Sequence, residues 1–390
     1  MSRMAPPSPM PAFATVSDML RALDPALPVY CIYPHVYRDS TREFLSGFPG
    51  RVLYAVKANN DPVILRLLAE FGVSEFDCAS VEEVRQVSQL VPGARCYFMN
   101  PVWPRGAART AQRDFGVRHF VIDHADALAL LCREIDAGES VIFARMAVEH
   151  EAAREKLSEK FGAAPAEIPA LLQAIAAAGA EPALAFNVGS NVMSPDAYVH
   201  GIEVARGVLD RLPFRVRLLD IGGGFGRTYP DIQAPPLAAY FSAISAAAKT
   251  LPLAEGGELL AEPGRALSAP GLSAVTQVLL RKPDRIYIND GMYGALWELR
   301  CNGQKRYASR CFRADSPLGG ETRSLRVFGP TCDSTDVLPS PLELPADIRA
   351  GDYVEFGAIG AYSLSGRTDF NGLYSDTVVA ISNEAERPPS

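Results

Sequence analysis

Eight short apolar runs, each followed by a helical pattern, set the strictest limit on what this chain can fold into. The runs are RVLYAVKA, SEFDCAS, ARCYFMN, HFVIDH, VIFARMAV, LAFNVGS, RVRLLDIGGG and ELLAEPG. Between them lie stretches such as DPVILRLLAEFG, VEEVRQVSQLV, ADALALLCREI, IPALLQAIAAAG and PDAYVHGIEVARGVLDRL. Their apolar residues recur at three- and four-residue spacing, the period of a helix with one buried face. Near-continuous apolar strands alternating with helices predict a parallel sheet covered by helices. Eight such units over about 250 residues suit a closed (β/α)8 TIM-like barrel better than an open sheet.

After about residue 270 the texture changes. GLSAVTQVLLRK, DRIYINDG, SLRVFGP, DYVEFGAIGAY and TVVAIS are β-rich runs divided by Pro, Gly and Asp turns. The expected class is α/β + β, a barrel with a separate, mostly antiparallel β domain. The boundaries read as an N-terminal tail and strand joining the β domain (1–29), the barrel (30–270) and the β domain (271–390).

The net charge of -7 argues against nucleic acid or an anionic membrane as the main partner. No apolar run reaches the roughly 18 residues that span a bilayer. The first twenty residues have no continuous apolar core and read as a frayed tail rather than a signal peptide. Cys31, Cys78, Cys96, Cys132, Cys301, Cys311 and Cys332 are scattered, odd in number and without a CxxC, so neither a disulfide framework nor a zinc site is expected. A reducing cytoplasm is the simplest setting.

In a barrel, chemistry gathers at the C-terminal ends of the strands. That rule selects Lys57, Asp77, Asn100, Arg145, Asn187, Ser190, Gly222, Gly223, Gly224, Glu262 and Arg265. Lys57 closes the run VLYAV, where an ammonium at a buried strand end costs free energy unless paired or consumed. It reads as a Schiff-base amine, a phosphate ligand, or a side chain snorkelling to water. In LLDIGGGFG the three glycines let backbone N–H groups approach an anion, and a plain tight turn explains them equally well. In AEPGR, Arg265 suits a phosphate and Glu262 another partner, although an ion pair within the loop is the simpler reading. In FGPTCDSTDVL, Cys332 beside Asp333 offers a proton donor and a cation-binding carboxylate, and a surface loop with a stray cysteine is the ordinary alternative. An amine, a phosphate cradle and a carboxylate at one barrel mouth together describe a site for pyridoxal 5'-phosphate.

The motifs YAVKANN, FDCAS, FNVGS, DIGGGF, EPGR, NDGMYGAL, GPTCDSTD and GAYSLSGRTDFNG, in this order, resemble the fold-type III, alanine-racemase-like pyridoxal-phosphate enzymes. Over roughly residues 30–380 the chain is similar to the ornithine/lysine decarboxylase family. The resemblance implies that Lys57 carries the cofactor. It also implies that Gly222, Gly223, Gly224, Arg265, Ser190 and Tyr362 grip the phosphate, and that Asp77, Arg145 and Asn187 line the cofactor site. Glu262 would face the pyridine nitrogen and keep it protonated, which favours decarboxylation over racemisation. Cys332 would reprotonate the α-carbon. Asp333 and Asp290 would bind a distal amine, with Tyr293 and Phe370 beside it. In the family the cysteine loop comes from the partner subunit, so the resemblance implies a homodimer with shared sites.

Cys-Asp-Ser at this loop suits a cationic tail. Diaminopimelate decarboxylases of this fold carry Cys-Glu-Ser and added basic groups. L-ornithine to putrescine is therefore the first expectation and L-lysine to cadaverine the second, one methylene apart and separated by only about 1–3 kcal/mol. One position departs from the family: Asn187 stands where a histidine usually stacks on the cofactor ring. It leaves open a diaminopimelate-like or specialised-metabolite substrate, or an inactive regulatory paralogue.

Overall fold

The computed structural model describes residues 10–151, 159–301 and 306–390; residues 1–9 of the expected tail lie outside them. The chain divides into two compact units. One comprises residues 38–228 and 233–268. The other takes in the N-terminal segment to Tyr37, residues 229–232 and residues 269–390.

The first unit is a closed parallel barrel. Around it run Arg51–Ala55, Glu75–Cys78, Arg95–Phe98, His119–Ile122, Val141–Ala147, Glu181–Asn187, Leu218–Asp220 and Glu258–Ala261, and the last pairs with the first. Leu260 lies opposite Arg51 and Ala261 opposite Val52, which closes the ring. These are the eight runs expected from sequence. Leu53, Tyr97, Met99, Val121, Phe143, Ala183, Ala185, Leu218 and Leu260 fill the interior as one cluster. Burying each large side chain contributes about 1.5–3 kcal/mol.

Helices start where local chemistry supplies the missing partner for their first N–H groups. Asp61 accepts from Val63 N at 2.8 Å and Pro62 opens the helix Pro62–Glu70. Ser80 accepts from Glu83 N at 3.2 Å ahead of Val81–Leu90. Two barrel helices were absent from the periodicity reading: Ala107–Phe115 and Leu237–Ala248. The first buries only Ala107, Ala108 and Ala111, so its inner face has no large apolar residue to set a period. The second buries Leu237, Tyr240, Phe241 and Ile244, a helical stripe of large apolar residues set among alanines.

The glycine turn after Leu218–Asp220 is held from outside the barrel. Phe225 stacks on Tyr198 at 4.8 Å and meets Phe44 edge-on at 4.9 Å. Tyr198 Oη donates to the Gly223 carbonyl at 2.8 Å. Each aromatic pair contributes about 0.5–1.5 kcal/mol beyond its burial. At the opposite end of the barrel Glu75 takes Arg95 at 2.9 Å and Tyr97 Oη at 2.9 Å. His119 stacks on Tyr97 there at 4.0 Å.

The second unit is a ten-stranded, mostly antiparallel sheet built on Leu272–Lys282. That long strand pairs with Val29–Ile32, Arg285–Ile288 and Tyr353–Phe356, all antiparallel. Residues 30–37, read from sequence as the start of the barrel, belong with this sheet: Val29–Ile32 also pairs with Val378–Ile381. A buried four-residue apolar run looks the same in either setting, and only its partners decide. Ala12–Phe13 pairs with Val378–Ile381, so the N-terminal segment joins the β unit. Under the sheet, Glu355 is fully buried and accepts from Tyr33 Oη and Ser273 Oγ, each at 2.6 Å, and from Arg310 Nε.

Candidate active site

Strand alternation puts every second residue inside the barrel. Continuing the inward rows to the C-terminal rim brings up Lys57, Asp77, Arg145, Asn187, Asp220 and Glu262. The strand Arg51–Ala55 ends two residues before Lys57, which lies in the 3-10 turn Val56–Ala58. Lys57 Nζ donates to Asp77 Oδ2 at 2.9 Å; the lysine side chain is 44% exposed and the aspartate 1%. The ammonium is thus not at a buried strand end, as the apolar run suggested. The turn lifts it out of the interior and a buried carboxylate anchors it.

Arg145 projects from Val141–Ala147 with its guanidinium 5.4 Å from the Phe161 ring centroid. Asn187 ends its strand, and its Oδ1 accepts from Gly189 N at 2.9 Å. The side chain is therefore fixed by its own turn. Ser190 lies half-buried three residues on.

The glycine turn is closed to any side chain. A Cβ on Gly223 would meet the Glu262 carbonyl oxygen at 2.3 Å, and one on Gly224, at φ +91°, the Gly189 carbonyl oxygen at 2.1 Å. Gly222 N donates to Asp220 Oδ1 at 2.8 Å, and Glu262 N donates to the Gly222 carbonyl at 2.9 Å. Asp220 lies opposite Leu260 in register, so it and Glu262 share the inner face of adjacent strands. Burial, then the charges of Asp220 and Asp77, push the Glu262 carboxyl well above the usual range. Burial also pushes Asp220 up to about 6 against the opposing Gly222 N–H bond. Two carboxyls this close share a proton more readily than both ionise. Asp220 was missing from the sequence reading; its signal was a carboxylate closing an apolar strand immediately before three glycines. Glu83 was also missed: it accepts from Ala79 N at 2.6 Å, and burial pushes it up to about 7. Arg265 opens the short helix Arg265–Ser268 and is 7% exposed.

The remaining expected residues lie in the sheet unit. Tyr293 Oη donates to Asp333 Oδ2, and the Tyr293 ring stacks on Phe370 at 4.5 Å. Thr335 N donates to Asp333 Oδ1 at 2.8 Å. The Tyr293 hydroxyl first, then this N–H, hold Asp333 below the usual carboxylate range. Exposed Cys332 donates its N–H to Asn371 Oδ1 at 3.2 Å. Asp336, 2% exposed, accepts from Met292 N at 2.8 Å and Thr331 Oγ1 at 2.8 Å, which ties the Cys332 loop to the Tyr293 loop. Tyr362 has φ +65°, and its carbonyl accepts from Trp297 Nε1 at 2.6 Å.

Asp290 does not join this group. Its Oδ1 accepts from Gly291 N at 2.8 Å and Ala295 N at 3.1 Å, and its Oδ2 from Tyr30 Oη at 3.2 Å. It is 5% exposed, and burial pushes its carboxyl up to about 6. The expectation that it faces a substrate amine is corrected: a loop of Gly-Met-Tyr-Gly turns tightly around this carboxylate, which supplies the acceptors the turn needs.

The barrel mouth fits pyridoxal phosphate. Asp77 Oδ1 and Asp220 Oδ2 are buried polar atoms with no hydrogen-bond partner among the described residues. A hollow lined by Met99, Val121, Arg145, Asn187, Asp220 and Glu262 opens beside Asp220. The glycine turn carries no side chain at this rim, and the packed backbone around it leaves room for none.

A barrel mouth carrying lysine, buried acid and glycine cradle, in a chain that also builds a mostly antiparallel sheet, defines the class of fold-type III pyridoxal-phosphate enzymes. The family model for the pyridoxal-binding domain of pyridoxal-dependent decarboxylases matches residues 36–269. The chain belongs to that family and is a pyridoxal-phosphate-dependent amino-acid decarboxylase. It is 32% identical over 369 residues to the decarboxylase flvG of Aspergillus flavus, covering 88% of this chain and 82% of that one. It is 32% identical over 344 residues to an ornithine decarboxylase of Panagrellus redivivus, covering 82% and 77%. The lysine/ornithine decarboxylase of Vibrio vulnificus, solved with putrescine, superposes with a TM-score of 0.81 at 27% identity, covering 95% and 100%.

Proposed function

We propose that this enzyme decarboxylates a basic L-amino acid, L-ornithine to putrescine ahead of L-lysine to cadaverine. The observation that carries the reading is the convergence of Lys57, its buried partner Asp77, the Asp220–Glu262 carboxyl pair and the glycine cradle at one rim. The names of similar proteins, ornithine decarboxylase and lysine/ornithine decarboxylase, support the substrate class.

When bound, pyridoxal phosphate supplies the electron sink that accepts the pair left as the α-carboxylate departs as CO2. Lys57 holds the cofactor covalently, and Asp77 orients its Nζ. Glu262, buried beside Asp220 and Asp77, would face the pyridine nitrogen and share its proton with it, keeping the nitrogen protonated. Gly222, Gly223, Gly224, Ser190, Arg265 and Tyr362 bind the phosphate, and Arg145 and Asn187 border the ring. Cys332 delivers a proton to the α-carbon, while Asp333, Tyr293 and Phe370 receive the tail. We assign Cys332 and Asp333 to the site of a partner copy, in a homodimer with two shared sites acting in the cytoplasm in polyamine formation. The exposed apolar residues Phe370, Leu373 and Tyr374, which flank the Asn371 that accepts from Cys332 N, support a covered face.

The test is CO2 release and diamine formation by the cofactor-loaded protein. Ornithine and lysine should both release CO2, ornithine faster. Absence of release from either, with the visible cofactor band present, refutes the reading. Lys57→Ala should abolish that band while leaving the fold intact.

A further inference from the structure

Two residues just beyond the glycine and serine turns of the barrel rim tie those turns together. Asn191 follows Ser190, and Arg227 stands two residues after Phe225. Asn191 is 2% exposed and has φ +47°, the left-handed region that asparagine tolerates better than most side chains. Its Oδ1 accepts from Arg227 N at 3.0 Å. One residue on, Val192 N donates to the Gly224 carbonyl at 2.8 Å. The turn that carries Ser190 and the turn that carries the glycines are thus joined at two points. The path between them has no slack, since a Cβ on Gly226 would meet the Val192 carbonyl oxygen at 2.5 Å.

Arg227 carries the connection to a third segment. Its Nε and Nη2 both donate to the Ala266 carbonyl, at 3.1 and 2.6 Å. Ala266 is 1% exposed and sits directly after Arg265 in the turn Arg265–Ser268. A helical carbonyl ordinarily accepts the N–H four residues on, and here that residue is Pro270, which has none. The guanidinium supplies donors for this buried carbonyl, and a charged donor makes the stronger bond. One chain of contacts therefore runs from the Asn191 side chain, through the backbone and side chain of Arg227, to Ala266. All three segments belong to the barrel unit.

Resting on the assignment above of Ser190, the three glycines and Arg265 to the cofactor phosphate, we propose that Asn191 and Arg227 are positioning residues that set the spacing of these three groups of phosphate ligands. They act through the turns rather than on the phosphate itself. A phosphate takes donors from several sides at once, and donors on separate turns meet it together only if the turns are fixed to one another. Donors held in place beforehand bind more tightly, because the ligand does not have to order them. The motifs FNVGS and DIGGGF both end before these positions, so neither residue stood out in the linear chain.

The experiment titrates the full chain with pyridoxal phosphate and, separately, with pyridoxal, which has the same ring and aldehyde but no phosphate, and follows the visible band. Asn191→Gly keeps the left-handed backbone and removes the acceptor, whereas Arg227→Met removes both contacts to Ala266. Each should weaken pyridoxal phosphate about 5- to 50-fold, the effect of one buried group losing its partner, and leave pyridoxal within about 2-fold. Because the two residues form one chain, the double variant should bind at most about 3-fold more weakly than the weaker single variant. Arg227→Lys keeps the charge but not the two-point contact and should recover only part of the affinity. Full recovery would assign the effect to charge and overturn the proposal, as would parallel weakening of both ligands, or pyridoxal phosphate affinity within about 2-fold of the unaltered chain. If Arg227→Met does not fold, Asn191→Gly, whose backbone is unstrained, decides the matter. Arg265→Gln separates the proposal from the assignment beneath it. If that variant binds pyridoxal phosphate normally, the phosphate assignment falls and the proposal with it; if it weakens pyridoxal phosphate alone while the Asn191 and Arg227 variants do not, only the positioning role is refuted.

Discussion

Replacing Asp220 tests whether one buried carboxylate ties the glycine cradle to the acid at the floor of the site. Asp220 Oδ1 holds the N–H of Gly222, and the carbonyl of that same glycine is held by Glu262 N. Gly222 has φ +71°, a conformation open to glycine without strain, and the two hydrogen bonds select it from the others glycine can adopt. Asp220→Ala leaves the Gly222 N–H buried without a partner, at a cost of about 1–3 kcal/mol. If the cofactor-binding form of the turn bears that cost, pyridoxal phosphate binds roughly 5- to 150-fold more weakly. Asp220→Asn keeps an oxygen acceptor but loses its charge, about 1 kcal/mol, so affinity falls roughly 5-fold. The Asn variant also removes a charge that raises the Glu262 pKa, so the pH dependence of cofactor binding should move to lower pH. Titration of apo protein with pyridoxal phosphate, followed by visible absorbance at several pH values, reads both effects. Equal weakening in the two variants would refute the hydrogen-bond argument, and an unmoved pH profile in Asp220→Asn would refute the coupling.

Other expectations are more local. Gly224→Ala places a Cβ against a backbone carbonyl at a positive φ, and the combined strain of about 2–5 kcal/mol should abolish tight cofactor binding before it unfolds the barrel; retention of the visible band at normal affinity would contradict this. Burial, then nearby arginines, hold His119 down to about 3, below its unfolded value of about 6.5. The unfolded state therefore takes up the proton first, so stability is full above about pH 6.5 and is lost as pH falls toward 3, by up to about 2 kcal/mol at pH 5. His119→Phe should flatten that part of a urea-midpoint profile against pH; an unchanged slope would show that His119 is not its source. Arg310→Met strands the Glu355 carboxylate beneath the sheet and should destabilise that unit by roughly 3–5 kcal/mol, whereas a urea midpoint near the original would mean the carboxylate finds other partners.

Much of this was legible in the linear chain because it rests on local patterns. Eight apolar runs named the eight barrel strands, and the rule that barrel chemistry sits at strand ends picked out Lys57, Asp77, Arg145 and Glu262 without any contact information. The glycines announced a turn that tolerates no side chain. Ala107–Phe115 escaped because alanine carries no periodic signal, and Val29–Ile32 was placed with the wrong unit because a short buried strand does not name its partners.

Tertiary structure alone decided where each polar side chain points. Barrel closure sets Glu258–Ala261 beside Arg51–Ala55, some two hundred residues away in sequence, and brings Asp220 and Glu262 onto one inner face. Asp290 and Asp333 look alike in sequence, each an acid in a turn-rich segment. Yet one caps its own loop and the other faces Tyr293 near a guanidinium. Backbone pattern depends on residues a few positions apart, so composition and period reveal it. The charge of a subsite depends on rotamers and on neighbours brought in by folding, and short-range pattern carries no record of either.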